Sequence, residues 1–238
     1  MDHHRQEMVE ILGLGLCQTL IQLLLLWLAV TLHEAAHAWT ASLCGDDTAR
    51  ELGRASLNPL RHLDPLGSLL FPGLQMAFGF PVFGWGRPTP VTDTRLRHPG
   101  RDNIFVLASG SIANLFLVCV ATVAIVVMVR VLGPEARQAA FLSLMHSPGA
   151  ENLDSFPVMF TLVRLASINA FVAAFHLIPL PPLDGGQIVL HLLPPDWAER
   201  LAAIRPYGFM IGVLAAVGIL PLVLLPFYGI LGLVINLS

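Results

Sequence analysis

Lysine is missing from this chain altogether: all 13 basic residues are arginine, set against 16 aspartates and glutamates. That absence reads as compositional bias and implies no function. With a net charge of −3 and no basic stripe interleaved with aromatics, nucleic acid is excluded as a partner. Charge of either sign is scarce. Only 12% of the 238 residues are charged and mean hydropathy is +0.71, whereas soluble domains are roughly a quarter charged. A polytopic membrane protein with the lipid bilayer as its surroundings is expected. The three cysteines, Cys17, Cys44 and Cys119, lack C-x-x-C spacing. They read as small apolar fillers rather than disulfide partners or thiolate ligands. Met1 to Glu10 has no basic region leading into a short apolar core, so a cleaved signal peptide is not expected.

What the chain has instead is long apolar runs. Four are long enough for a hydrocarbon core of about 30 Å: Ile11 to about Leu43, Asn103 to Val129, Ser155 to about Leu180, and Tyr207 to Asn236. Pro221 and Pro226 predict a kink or break in the last. A fifth stretch, Gly67 to Gly86, is punctuated by Pro72, Gly73, Gly79, Pro81 and Gly84. It is expected to be a re-entrant, β-hairpin-like segment ending in Arg87-Pro88-Thr89-Pro90-Val91, with an edge that could pair with an extended peptide. The fold class is therefore an all-α polytopic membrane protein with about four transmembrane helices and this one re-entrant segment, forming a single domain over residues 1–238.

Alternating spans put Arg50, Arg54, Arg61, Arg87, Arg95, Arg97, Arg101, Arg200 and Arg205 on one side, and Arg5, Arg130 and Arg137 on the other. The positive-inside rule assigns the richer side to the cytoplasm. The His33 end of the first span and the Pro181 to Pro195 turn then face the cytoplasm in a plasma membrane.

His33-Glu34-Ala35-Ala36-His37 lies at that end. Ionisable residues in a span cost roughly 2.5–3.5 kcal/mol each at the centre, so something must compensate them. Positions i and i+4 share a helix face, so both imidazoles can reach one zinc ion, with Glu34 placed to take a proton from water. A catalytic zinc needs a third protein ligand. Asp184 is the leading candidate, because prolines 179, 181 and 182 break the third span just before it and glycines follow it. His62, Asp64 and His176 remain open by spacing alone.

H-E-x-x-H in a first membrane helix and a late Pro179-Leu180-Pro181-Pro182-Leu183-Asp184-Gly185-Gly186 resemble the site-2 protease family, in particular its compact prokaryotic branch without a PDZ domain. Gly45-Asp46-Asp47-Thr48-Ala49, Gly53-Arg54, Leu57 to Gly67, Phe83 to Pro88 and Ala113-Asn114-Leu115 also match, so the resemblance runs from about residue 30 to 190. It implies one Zn2+ held by His33, His37 and Asp184, with Glu34 as general base and a transmembrane protein or membrane peptide as substrate. Asn58, Gly84, Gly86 and Asn114 are candidate substrate contacts. The chain departs from the family twice. His176 stands where asparagine is usual, a position tied to substrate binding or oxyanion stabilisation, and Gly110-Ser111 replaces a Gly-Pro. A histidine can donate as asparagine does, which makes His176 a second candidate catalytic residue. The expected activity is an intramembrane zinc endopeptidase; the alternative is a non-catalytic regulatory or binding protein that retains the metal.

Overall fold

The computed structural model describes residues 2–77, 84–145 and 157–237. Helix α1 runs Asp2–Leu43 and short α2 Thr48–Glu51. After a 3-10 turn at Pro59–Arg61 and a π-helical turn at Pro65–Leu70 comes α3, Phe71–Ala77. Then follow α4 Pro99–Leu132, α5 Pro134–Met145, α6 Pro157–His176, α7 Asp184–Leu192 and α8 Pro195–Ala202. The chain closes with α9 Arg205–Gly218, α10 Leu220–Val223 and α11 Leu225–Leu237. Among the described residues there is no strand, and the fold is all-α.

Three stretches are long and apolar enough to cross a membrane: Leu16–Leu43, Pro99–Leu132 and Pro157–His176. A fourth exists if α8 and α9, bent by 70° at their junction, count as one. Helix α4 shows how such a span sorts its faces. Val106, Gly110, Asn114, Val118, Ala121, Ile125 and Val129 recur at steps of three and four and are buried. Ile112, Phe116, Val120, Val123, Val127 and Val131 face outward, apolar and exposed. An outward face this apolar has no use in water and suits lipid.

α4 packs against both α1 and α6, and these three helices form the centre. Small residues allow the close approach: Ala29 on α1, Gly110 and Ser111 on α4, Ala166 and Ala170 on α6 are all buried. A second layer of Ile125, Val129, Ala136, Ala140, Met159, Val163, Leu231 and Ile235 joins α4, α5, α6 and α11.

Two expectations change in detail, and the expected break in the last run is present. The third span stops at His176 rather than near Leu180, because Pro179, Pro181 and Pro182 cannot supply helical N–H donors. The run from Tyr207 to Asn236 breaks as its prolines predict, into α9, α10 and α11, with Pro221 and Pro226 each second in a new helix. The stretch expected to be hairpin-like is helical from Pro65 to Ala77, started by Asp64, whose carboxylate accepts the N–H groups of Leu66 and Gly67 at 3.0 and 2.8 Å. Its extended character survives as one antiparallel bridge between Leu63 and Gly86, and residues 78–83 of the expected hairpin lie outside the described residues.

Candidate metal centre and its cavity

Burial is the first fact about the H-E-x-x-H residues: His33, Glu34 and His37 are 1%, 4% and 6% exposed. Their helix is packed between α4 and α6, so each polar atom needs a partner supplied by the protein. For His33 the partner is Asn114 Oδ1, 2.7 Å from Nδ1. The Asn114 amide nitrogen donates to Ala29 O at 3.0 Å and Asn169 Oδ1 at 2.8 Å, which fixes the oxygen as the end facing His33. The His33 Nδ1 must therefore carry the proton. His37 is fixed in the same way, its Nδ1 donating to the Val106 carbonyl at 2.7 Å.

Both rings consequently present the lone pair of Nε2 inward, toward Asp184. Asp184 Oδ2 lies 3.0 Å from His33 Nε2 and 3.3 Å from His37 Nε2. Two lone pairs aimed at an anionic oxygen repel one another unless a cation lies between them. The donor atoms of His33, His37 and Asp184 all fall within 4.8 Å of one another, and among the described residues this is the one such group. Two imidazoles and a carboxylate, with outer hydrogen bonds holding each ring, make a ligand set that fits zinc.

Close backbone approaches hold the set together. A Cβ on Gly110 would lie 2.6 Å from the His33 ring, so α4 needs a glycine where it crosses that imidazole. At the start of α7, a Cβ on Gly185 or Gly186 would come within 2.3 Å of Leu177 O or 2.1 Å of Leu180 C. These two glycines let the helix that begins at Asp184 fold back onto the broken end of α6.

Asp184 also brings in His176, whose Nδ1 donates to the same Oδ2 at 3.1 Å. The rings of His33 and His176 have centroids 4.0 Å apart. Glu34 is engaged from the other side: the N–H and hydroxyl of Thr89 reach its Oε2 at 2.8 and 2.7 Å. The segment carrying Thr89 is tied down by Arg54, whose guanidinium donates to the carbonyls of Arg87 and Pro88. Arg87 N–H in turn donates to His62 O at 2.7 Å.

Glu34, His37, His176 and Asp184 share a cavity of about 590 Å³ with Trp85, Gly86, Thr89 and the apolar side chains of Leu107, Phe175 and Phe209. The far wall is polar. There the Asn103 amide donates to Asp93 Oδ1 at 3.0 Å and meets His191 Nε2 at 3.1 Å.

The other candidates fall elsewhere. His62 Nε2 meets the Ser56 carbonyl at 2.7 Å and Asp64 caps its turn, so neither joins the cluster. Asn58 is exposed and caps the Pro59–Arg61 turn, outside the cavity lining. Gly86 lies on the cavity wall against Glu34 Cγ, whereas Gly84 packs on Gly67 O. Asn114 is behind His33 rather than on the cavity surface. Thr89 and Asn169 were not singled out by sequence. Asn169 carried a signal, an asparagine inside a membrane run; Thr89 carried none.

No family model matches the chain and no solved structure matches it. Two curated proteins do, both named "Putative zinc metalloprotease". YwhC of Bacillus subtilis (strain 168) is 34% identical over 184 residues, covering 76% of this chain and 73% of its own. Rip2 of Mycolicibacterium smegmatis (strain ATCC 700084 / mc(2)155) is 29% identical over 188 residues, 79% of this chain but only 63% of the relative. Agreement on that scale over three-quarters of the sequence shows that the chain belongs to the site-2 protease family.

Proposed function

We propose that this protein is an intramembrane zinc endopeptidase that hydrolyses peptide bonds in or near the transmembrane segments of other membrane proteins. The observation that carries the reading is the convergence of His33 Nε2, His37 Nε2 and Asp184 Oδ2, with His37, Asp184 and Glu34 all lining one cavity. The names of the two relatives point the same way.

His33, His37 and Asp184 would hold a single ion. When bound, such an ion acidifies a coordinated water toward a pKa of ~7 and polarises a carbonyl. Glu34 accepts the proton of the attacking water at a carboxylate oxygen and returns it to the departing amine nitrogen. Thr89 keeps that carboxylate oriented through the bonds to Oε2. His176, on the cavity wall, gives its Nδ1–H to Asp184 Oδ2, so it can donate to the carbonyl oxygen as negative charge develops there only through Nε2–H of its imidazolium form. A helical substrate hides its peptide bonds in its own hydrogen bonding, so it must unwind. The extended stretch from Trp85 to Val91 offers a backbone against which an unwound strand can lie, and Gly86 keeps the approach to Glu34 clear. By the arginine asymmetry, the cavity opens toward the cytoplasm.

A second reading, a metal-retaining regulatory protein without catalysis, is favoured by His176 in place of the family's asparagine. A Glu34→Gln variant separates the two. Purified into proteoliposomes with single-span substrates, it is expected to keep zinc and lose cleavage. Undiminished biological activity of that variant would favour the regulatory reading instead.

A further inference from the structure

Helix α8 is only eight residues long, yet three of them are charged: Asp196, Glu199 and Arg200. As the upper half of a broken span it would carry all three into hydrocarbon, at roughly 2.5–3.5 kcal/mol each near the centre. Its apolar and charged residues are also sorted. Trp197 and Leu201, four apart, lie on one side of α8, and Ile204 follows in the turn to α9; Arg200 and Asp196, also four apart, share the flank of that side, and Glu199 lies opposite. Trp197 is 61% exposed, and the Arg200 guanidinium sits 5.5 Å over its ring. Past the 70° bend the exposed apolar surface continues along α9 through Tyr207, Met210, Ile211 and Leu214.

From this we infer that α8 is an in-plane helix bound to the membrane–water interface, with Trp197 and Leu201 toward the acyl chains and Ile204 beyond its end continuing that side, Arg200 and Asp196 at headgroup level and Glu199 toward water. The occupant of the apolar side is phospholipid, because that side is continuous with the lipid-type surface of α9. A tryptophan and an aliphatic residue on one side, charged residues on its flank and Glu199 opposite make the pattern of an interfacial helix. The consequence for the metal centre is positional. α8 follows α7 after two residues, α7 begins at Asp184, and the first residue of α9, Arg205, donates to Gln187 Oε1 one turn beyond Asp184 at 3.1 Å. The anchored helix therefore ties the ligand-bearing α7 to the interface. This inference stands apart from whether the cavity hydrolyses anything.

The test uses the full chain with Cys17, Cys44 and Cys119 changed to serine, spin-labelled singly at 197, 199 or 204 and reconstituted into phosphatidylethanolamine–phosphatidylglycerol vesicles. Bound zinc equal to wild type certifies each variant as folded. Labels at 197 and 204 are expected to show an oxygen-to-nickel collision ratio several-fold above that at 199. Equal nickel access at all three would place α8 in water and overturn the inference. So would labels at 197 and 204 shielded from both reagents and dipolar-broadened, which would mean a second copy covers that face. Unlabelled protein gives an independent measurement: lipids brominated near the headgroup should quench a tryptophan component that disappears in Trp197→Phe, and equal quenching in both proteins would also overturn it.

Discussion

At the scale of single residues, the proposed metal centre depends on groups that would never touch an ion. Asn114 fixes the His33 tautomer only because its amide nitrogen is already committed to Ala29 O and Asn169 Oδ1. Asn114→Ala should therefore weaken zinc binding by about 10–100-fold in chelator competition, the usual cost of losing such an outer partner. Gly110→Ala places a methyl against the His33 ring and should weaken zinc at least as much. Gly100→Ala on the same helix, with no atom within 4 Å of the added carbon, should leave affinity at the wild-type value. Thr89→Val removes the hydroxyl that reaches Glu34 but keeps the N–H. A hydrogen bond to a charged group contributes about 1.5–3 kcal/mol. The proposed peptidase should thus lose about tenfold or more in kcat with zinc content unchanged, and Thr89→Ser should recover most of it.

At the scale of elements, the segments between helices do as much as the helices. Asp46, in the loop after α1, is fully buried and accepts the N–H and hydroxyl of Thr48 and the N–H of Thr92. Burial alone would raise its pKa, but these hydrogen bonds prevail and hold it below the ordinary carboxylate value. The native state thus binds this proton less readily than the unfolded chain. The resulting stabilisation is complete above the unfolded value of ~3.9 and is lost as pH falls through the lower native value. Thermal unfolding followed from pH 6 down to 3 should show a steeper acid loss for wild type than for Asp46→Asn, whose neutral amide cannot titrate. The Asp46 loop matters to the site because Thr92 belongs to the same strap as Thr89. Sequence reasoning located that strap through its Arg-Pro-Thr-Pro run but not its contact with Glu34, since nothing local says which distant carboxylate a threonine will meet.

At the scale of the whole molecule, the sorting of arginine should appear as topology. Cysteines introduced at Arg50 and Arg130 in a cysteine-free background should react with a membrane-impermeant maleimide from opposite sides of the cell membrane, with residue 50 modified only after the cytoplasmic face is opened. Labelling of both from outside would overturn the cytoplasmic orientation proposed for the cavity. The helices at the two ends of the chain mark the reach of composition. Hydropathy located the runs that became α1, α4 and α6, because lipid demands long uninterrupted apolar helices with every backbone group satisfied internally. It missed α5, and the breaks between α9, α10 and α11 were signalled by Pro221 and Pro226 rather than by hydropathy, because a run of apolar letters does not record where the backbone turns.

The division between what one-dimensional information specifies and what folding adds is plain at Asp184. The spacing of His33 and His37, the proline break ahead of Asp184 and the glycines behind it are written in the chain, since helix periodicity and backbone sterics act over a few residues. Which of Asp184, His62, Asp64 and His176 would join the two imidazoles as a ligand was not written there. That choice was made when α6, broken after His176, returned the chain to α1, and when His62 and Asp64 found partners in their own loop. The same packing created the demand for a cation: Asn114 and Val106 on α4 turn both ring protons outward, leaving two inward lone pairs and a carboxylate to share one positive charge.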